Sequence, residues 1–561
     1  MSQPNPSTAQ ARTIVDELSR HGVDYVVISP GSRSGALAIA FEEHPGITTR
    51  VILDERSAAF HALGRSRAAA APVVALATSG TAVANHLPAV VEADLSLVPL
   101  LSISADRPPD MLHVGANQTI DQVGIFGGRT RWSCTIPPAE VGLDLNGYWR
   151  TTVSQAVARA LGHGATPGPV HLKVAFREPT VPVADDGRSR AEPYPFPIEG
   201  RPTGGPWQAH HRARPGAGPV LTAPGYGLLL VGEGDFDPAQ LADAAARLRW
   251  PVLATATSGL RDSDAVTSYH HLLVAGVPQA LFPEAVVTVG RVGPSDRVGA
   301  LTSLPVPQVQ IDRWGVWNDP RRHSSLMIHA DPVATLDTID PAGDDRLRDV
   351  WREADATMRS ALDDRLAGEH WATGPAVARA LVGIDHDLLV AASSMPIRDV
   401  DAHFLGGARV IANRGASGID GFVSTALGAA SVGLRTVALA GDLSWLHDVG
   451  GLVVDEIGNV VFVVIDNGGG GLFDLLPQAE HAPAFERLFV APHRVDLSRL
   501  GSAYDLSVSV IDGEEVFRSS LPAALAAGGA HVLVVHVERE TDLKTRRALD
   551  DTARAVCAGL S

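Results

Sequence analysis

The sequence predicts an α/β protein of three Rossmann-like domains with parallel sheets, and three observations carry that reading. Short runs of branched apolar residues, each stopped by turn chemistry, alternate with helical stretches, the pattern of parallel strands buried on both faces. The alternation breaks twice, in the proline- and glycine-dense segment 181–222 and again from Asp331 into the charged stretch ending at Leu366. At 561 residues the chain exceeds what one core serves, at about 150 residues per domain. The boundaries that follow are a first domain at 1–182, a linker at 183–222, a central domain at 223–345 and a last domain at 346–561.

In the first domain, Ser7 or Thr8 caps a helix through Arg20 that Gly22 ends. Tyr25 to Ser29 is a strand that empties into Pro30-Gly31-Ser32-Arg33-Ser34, followed by a helix from Gly35 to Glu43. That turn is equally a plain connection and an anion site where helix amides and Arg33 converge. Val51 to Leu53 is the next strand, ending in Asp54-Glu55-Arg56 before an alanine-rich helix; a lone glutamate there is solvated or caps the helix. Val73 to Thr78 leads into Ser79-Gly80-Thr81 and a helix from Ala82 to Val91, and the small residues of the turn let a flat ring approach. Val98 to Ser104 leads into Ala105-Asp106-Arg107-Pro108-Pro109 and then Gly115-Ala116-Asn117-Gln118, a polar loop or a recognition loop.

The central domain has strands at Leu228 to Val231, Val252 to Ala256, Ala285 to Gly290 and Gln308 to Asp312, with a helix from Pro238 to Arg249. Its Gly232-Glu233-Gly234 does not make the GxGxxG dinucleotide fingerprint, so a scaffold role is expected. The charged helix Arg346 to Leu366 leads into a further series of strands beginning near Thr373. Leu388 to Ala392 empties into Ser393-Ser394-Met395-Pro396-Ile397-Arg398, and Arg409 to Ala412 into Asn413-Arg414-Gly415-Ala416-Ser417-Gly418-Ile419-Asp420. Val437 to Ala440 empties into Gly441-Asp442, Val460 to Ile465 into Asp466-Asn467 and four glycines, and Val532 to Val537 is a late strand.

Gly-Asp after a strand is by itself an ordinary capped turn. With the two strand ends side by side, however, the oxygens of Asp442 and Asn467 reach one hard cation, and Gly468 to Gly471 let the backbone approach a ligand. Magnesium held by one carboxylate and one amide needs a diphosphate to fill its shell.

Composition removes other classes. Forty-six basic against sixty-three acidic residues give a charge of −17, which argues against nucleic acid or an anionic membrane as partner. Cys134 and Cys557 are the two cysteines, too few for a disulfide framework or a cysteine zinc site, and they fit a reducing, cytoplasmic setting. No signal core or membrane span is expected, since no run approaches about 18 apolar residues. Lys173 and Lys544 are the only lysines and neither stands in a P-loop, so carbanion chemistry would need an electron sink other than lysine; both are expected in ordinary polar surroundings.

The 25 residues from Asp442 to Asn467 resemble the thiamine-diphosphate fingerprint, with Leu443 in place of its third glycine and Asp466 in place of its first asparagine. SPGSRS at 29–34, DER at 54–56, TSGTAVAN at 78–85, ADRPP at 105–109, GANQTIDQ at 115–122, NRGASGIDG at 413–421 and GDLSWLHD at 441–448 together resemble the 2-succinyl-5-enolpyruvyl-6-hydroxy-3-cyclohexene-1-carboxylate synthases of menaquinone biosynthesis. The resemblance implies a thiamine-diphosphate-binding fold, thiamine diphosphate with Mg2+ or Mn2+ as cofactors, and 2-oxoglutarate and isochorismate as substrates. It implies decarboxylation of the first and 1,4-addition of the succinyl carbanion to the second.

By the same resemblance, Glu55 activates the aminopyrimidine, and Ser32, Arg33, Arg107, Asn117, Gln118, Ser394, Arg398 and Arg414 face substrate or intermediate. Ser79, Gly80, Thr81, Ile419, Gly441, Leu443, Ser444, Gly470 and Phe473 contact the cofactor, and Asp442, Asn467 and Gly469 hold the metal. Phe473 and Leu476 wall the succinyl pocket, and Arg297 is the central domain's candidate basic residue. The implied assembly is a homodimer or dimer of dimers with active sites at the subunit interface, where Glu55 of one subunit meets Asp442 of another. An acetolactate-synthase-like or other 2-oxoacid decarboxylase is the neighbouring alternative, and a non-catalytic regulatory protein the alternative of another class.

Overall fold

The structure, a computed structural model, describes residues 4–182, 192–211, 216–219, 225–261, 264–293, 295–339, 344–481 and 484–560. Its strands are β1 (Tyr25–Ile28), β2 (Thr48–Val51), β3 (Val73–Ala77), β4 (Leu100–Asp106), β5 (Trp132–Ile136), β6 (Val170–Ala175), β7 (Gly227–Val231), β8 (Val252–Ala254), β9 (Ala285–Val289), β10 (Gln308–Asp312), β11 (Leu326–His329), β12 (Leu388–Ala391), β13 (Arg409–Ile411), β14 (Thr436–Gly441), β15 (Val460–Asp466), β16 (Ser507–Ile511) and β17 (Ala530–His536). They form three parallel sheets with orders β2-β1-β3-β4-β6-β5, β11-β10-β9-β7-β8 and β13-β12-β14-β15-β17-β16. The α/β class with three parallel sheets is therefore borne out.

The first and third sheets have the same order. In it β14 stands where β3 stands and β15 where β4 stands, so the turns at Ser79 and Asp442 are counterparts, as are those at Arg107 and Asn467. Central strands β3 and β4 are buried at every residue, and β15 at all but its last, which is why each reads as a continuous apolar run.

By backbone contacts the chain divides into two compact units. One comprises 1–212, 413–434 and 444–460; the other comprises 213–412, 435–443 and 461–561. In the first, the helix Phe422–Ala430 crosses the helix Glu55–Ala69 at glycines. A Cβ on Gly64 would stand 2.1 Å from Thr425 O, and one on Gly428 2.0 Å from His61 O, so only glycine allows this crossing.

Several expectations need correction. The first helix is Pro6–Arg20 and its cap is Asn5, whose Oδ1 accepts from Thr8 N at 2.9 Å; Ser7 instead donates to Arg177 O at 2.7 Å. The second strand lies at Thr48–Val51 rather than Val51 to Leu53, because an edge strand needs only one covered face. The helix expected from Ala82 to Val91 is a 3₁₀ turn, Val83–His86, followed by an α-helix, Leu87–Leu95, that admits Pro88 in its first turn. Lys173 is not in polar surroundings: it is buried within β6 and pairs with Asp106 at 3.0 Å. The linker expected at 183–222 falls partly on 183–191, 212–215 and 220–222, outside the described residues. Among the described residues, no helix is long and apolar enough to cross a membrane.

Candidate active site

In the first unit the turns after β3 and β4 are tied together by Arg107. This residue is 8% exposed, and its Nη1 donates to Ser79 Oγ and to Gln118 O. Gln118 returns the contact, donating from Nε2 to Ser79 O at 3.0 Å. Gly80 completes the close approach at φ +79°, where a Cβ would meet Gln118 Cγ at 2.7 Å. Burial, and then the charge of Arg33, lowers the proton affinity of Arg107, while Asp106 and Glu178 oppose this. Arg33 itself donates to Phe176 O at 3.3 Å and pairs with the exposed Glu178 at 3.0 Å. Ser32, Thr81 and Asn117 are exposed. This brings Arg33, Ser79, Gly80, Arg107 and Gln118 into one neighbourhood.

Glu55 opens the helix Glu55–Ala69, which Asp54 caps by accepting from Arg56 N at 2.8 Å. The first turn is fastened by Asp448, fully buried, which accepts from Ser57 Oγ at 3.0 Å and from Ser424 N at 2.7 Å. Burial holds the Asp448 carboxyl above its ordinary range, partly offset by Ser424, Ser57 and Arg56. The loop carrying Arg414 and Ile419 is fixed by Glu92, whose two oxygens accept from Gly415 N at 2.8 Å and Ala416 N at 2.6 Å. Arg414 and Ile419 are half-buried and Ser444 is buried. Neither Glu92 nor Asp448 had a role assigned from sequence.

In the second unit β14 and β15 are neighbours, so Gly441-Asp442 and Asp466-Asn467 end side by side. Asp442 is 1% exposed. Its Oδ1 accepts from Leu443 N at 2.6 Å and its Oδ2 from Gly469 N at 2.8 Å and His493 Nε2 at 3.2 Å. Gly469 N also lies 3.3 Å from Asn467 Oδ1, so one amide brings both side chains together. Gly469 is at φ +144°, where a Cβ would meet Val490 O at 2.4 Å, and a Cβ on Gly470 would meet Phe489 O at 2.6 Å.

Burial pushes the Asp442 carboxyl above its ordinary range; Leu443, His493 and Gly469 oppose this, and the charge of Asp466 adds to it. A buried carboxylate with no lysine or arginine against it among the described residues, beside an amide oxygen, is a donor set suited to a hard divalent cation. His493 is a neighbour that sequence reasoning missed, because it lies beyond the glycine loop in a stretch without motif.

The same unit contains a cavity of about 360 Å³ whose lining includes Met395, Arg398, Arg297, Leu472, Leu476 and His271. Ser394 stands beside it at φ +76°, a conformation that strains any residue but glycine, and its carbonyl accepts from Arg398 Nη1 at 2.9 Å. Arg297 is already committed, since its Nη2 reaches both oxygens of Asp550 at 2.8 and 2.7 Å. Phe473 is half-buried, its ring 5.6 Å from that of Phe489.

Comparison with known proteins adds to this geometry. Residues 9–125 match the family described as thiamine pyrophosphate enzyme, N-terminal TPP binding domain. A protein of Thermobifida fusca named 2-succinyl-5-enolpyruvyl-6-hydroxy-3-cyclohexene-1-carboxylate synthase is 40% identical, the alignment covering 98% of this chain and 99% of the other. Proteins of the same name from Halobacterium salinarum and Rubrobacter xylanophilus are each 37% identical, over 98% and 97% of this chain and 99% and 98% of theirs.

Proposed function

We infer the chemistry from one premise: the chain belongs to the family of 2-succinyl-5-enolpyruvyl-6-hydroxy-3-cyclohexene-1-carboxylate synthases and is a thiamine-diphosphate-dependent transferase of the carboligase type. Its reaction decarboxylates 2-oxoglutarate and adds the succinyl unit to isochorismate, giving the product of the family's name. The observation that carries the substrate assignment is the buried guanidinium of Arg107 at the Ser79-Gly80 turn, its Nη1 bonded to the neutral Ser79 Oγ and Gln118 O, with Arg33 in the same neighbourhood. A guanidinium fork matches a carboxylate bidentately, and both substrates are polycarboxylates.

When bound, thiamine diphosphate supplies the electron sink that a 2-oxo acid needs in order to lose CO₂ as a carbanion equivalent. Glu55 holds the proton at the aminopyrimidine N1′. Asp442, Asn467 and the Gly469 carbonyl would hold a Mg2+ or Mn2+ ion, which would supply positive charge for the diphosphate. Ser79, Gly80, Thr81, Ile419, Gly441, Leu443, Ser444, Gly470 and Phe473 shape the cofactor's surroundings. Arg33, Arg107, Arg398 and Arg414 bind substrate carboxylates, Ser32, Asn117, Gln118 and Ser394 orient the substrates, and Leu476 walls the succinyl group away from water.

The domain assignment is pyrimidine-binding at 1–182, linker at 183–222, central at 223–345 and diphosphate-binding at 346–561. The working form is a cytoplasmic homodimer or dimer of dimers in which Glu55 of one subunit serves the cofactor of another.

The test is to incubate the purified protein with thiamine diphosphate, magnesium, 2-oxoglutarate and isochorismate and to follow product mass. Formation of the adduct supports the reading. Turnover of pyruvate alone, with isochorismate untouched, would replace it with an acetolactate-synthase-like reaction.

A further inference from the structure

Asp442, Asp466 and His493 each offer one ligand atom within 4.8 Å of the others. Two carboxylates and an imidazole look like a metal cage of their own, but the hydrogen bonding decides otherwise. Val495 N points at His493 Nδ1 at 3.3 Å, so that nitrogen is the acceptor and, in the neutral ring, the proton sits on Nε2. Nε2–H then faces Asp442 Oδ2 at 3.2 Å, while Asp466 Oδ1 is 4.0 Å away, beyond hydrogen-bond range. His493 in this tautomer donates to Asp442 and has no lone pair aimed at a cation.

The segment that carries His493 also holds the other arm of the seat. Gly470 N donates to Val490 O at 2.7 Å, and the same carbonyl is the atom that a Cβ on Gly469 would strike. Residues 490–493 therefore grip the glycine loop through a backbone carbonyl and Asp442 through an imidazole. Asp442's other donors are backbone amides of Leu443 and Gly469, so among the described residues His493 is its one side-chain donor.

We propose that His493 is a positioning residue for the divalent cation, fixing the Asp442 carboxylate through Nε2–H while Val490 fixes the glycine loop. This rests on the reading of Asp442 as a metal ligand and adds the group that orients it. Partners of this kind are worth about 10- to 100-fold in metal affinity, because a ligand free to rotate must be reordered on binding.

The experiment titrates Mn2+ into protein saturated with thiamine diphosphate and reads bound Mn2+ by electron paramagnetic resonance, alongside kcat at saturating Mn2+. For His493→Leu the expected result is a dissociation constant raised about 10- to 100-fold, with kcat at saturating cation within a few-fold of the parent. His493→Gln, which keeps an N–H donor, recovers part of the affinity. Unchanged affinity in a folded His493→Leu protein overturns the proposal, as does a Gln variant no better than Leu. If the Leu variant does not fold, His493→Ala takes its place: a dissociation constant raised at least about tenfold and partly restored in the Gln variant supports donation, and an unchanged one overturns it. A parent protein that binds no Mn2+ with the cofactor would instead remove Asp442 as a ligand, a failure of the functional reading that this titration separates from the other.

Discussion

Asp448 and Ser57 are joined by a buried hydrogen bond of 3.0 Å between the carboxylate and the hydroxyl, two residues beyond Glu55 and across 391 positions of sequence. The other carboxylate oxygen accepts from Ser424 N, so one side chain pins the helix that Glu55 begins to the helix Phe422–Ala430. Asp448→Ala leaves a buried hydroxyl and a buried amide without an acceptor. It should lower unfolding free energy by about 3 kcal/mol and reduce kcat more than it raises KM; Asp448→Asn, which keeps one acceptor, should lose less. Urea denaturation and steady-state kinetics check this, and an alanine variant within about 0.5 kcal/mol of the parent would remove the pinning role.

Glu92 makes a comparable link, since its carboxylate accepts both Gly415 N and Ala416 N and so sets the loop on which Arg414 stands. Glu92→Gln keeps one acceptor oxygen and turns the other into a donor facing an amide. The expected outcome is a KM raised about tenfold for one carboxylate substrate, on the scale of 1.4 kcal/mol, with cofactor affinity little changed. KM values unchanged from the parent for both substrates would show that the loop holds itself.

Most strand ends were legible because they follow strands buried on both faces, where the apolar run stops abruptly at polar turn residues. Those of the edge strands β2 and β13 were legible through the turn chemistry of Asp54-Glu55-Arg56 and Asn413-Arg414-Gly415. Strands β5, β11 and β16 were not, because each lies at a sheet edge and reads as mixed polarity. Strand β6 was missed for another reason: it is buried throughout yet carries His171 and Lys173, whose partners Ser104 and Asp106 lie on β4. The site divides in the same way. Residues at turns of β1, β3, β4, β14 and β15 announce themselves by position, whereas Glu92, Asp448 and His493 act on groups that only folding brings near.

Glu55→Gln tests the proton relay. The helix that Glu55 opens keeps its Asp54 cap, so the fold should be retained and the cofactor still bound, while turnover falls by at least about 100-fold. Cofactor binding by calorimetry and turnover by product mass separate the two effects. Unchanged turnover would exclude the role.

Buried histidines predict acid sensitivity. Burial, then the charges of Arg50 and Arg65, pushes His61 down to about 3, and burial, then His171, pushes His86 down to about 3, against 6.5 for a free imidazole. Below pH 6.5 the unfolded chain takes up protons that these folded histidines refuse. Each contributes stability that is whole above that pH and is lost as pH falls towards 3, by about 1.4 kcal/mol per pH unit. His86→Met removes one such group, so the stability gap between parent and variant should shift in the variant's favour by that amount per unit on going below pH 6.5. Parallel curves for the two proteins would show that His86 does protonate in the folded state.

Arg398 and Arg297 line the same cavity but carry different loads. Arg297 spends its Nη2 on both oxygens of Asp550 and its Nη1 on His270 O, whereas Arg398 makes one bond, to Ser394 O within its own helical turn. Among the described residues no carboxylate lies within ion-pair distance of Arg398, since its neighbour Asp399 is paired with Arg546, and the apolar Leu472 and Leu476 share its cavity. Charge left over beside an apolar wall suits the far carboxylate of 2-oxoglutarate, so Arg398→Met should raise KM for that substrate about 100-fold, near 2.7 kcal/mol. It should leave KM for isochorismate within a few-fold. Arg297→Met strands Asp550 instead, and its loss should be relieved when Asp550→Asn is added. If Arg398→Met raised both KM values equally, the cavity would not be the seat of the succinyl end.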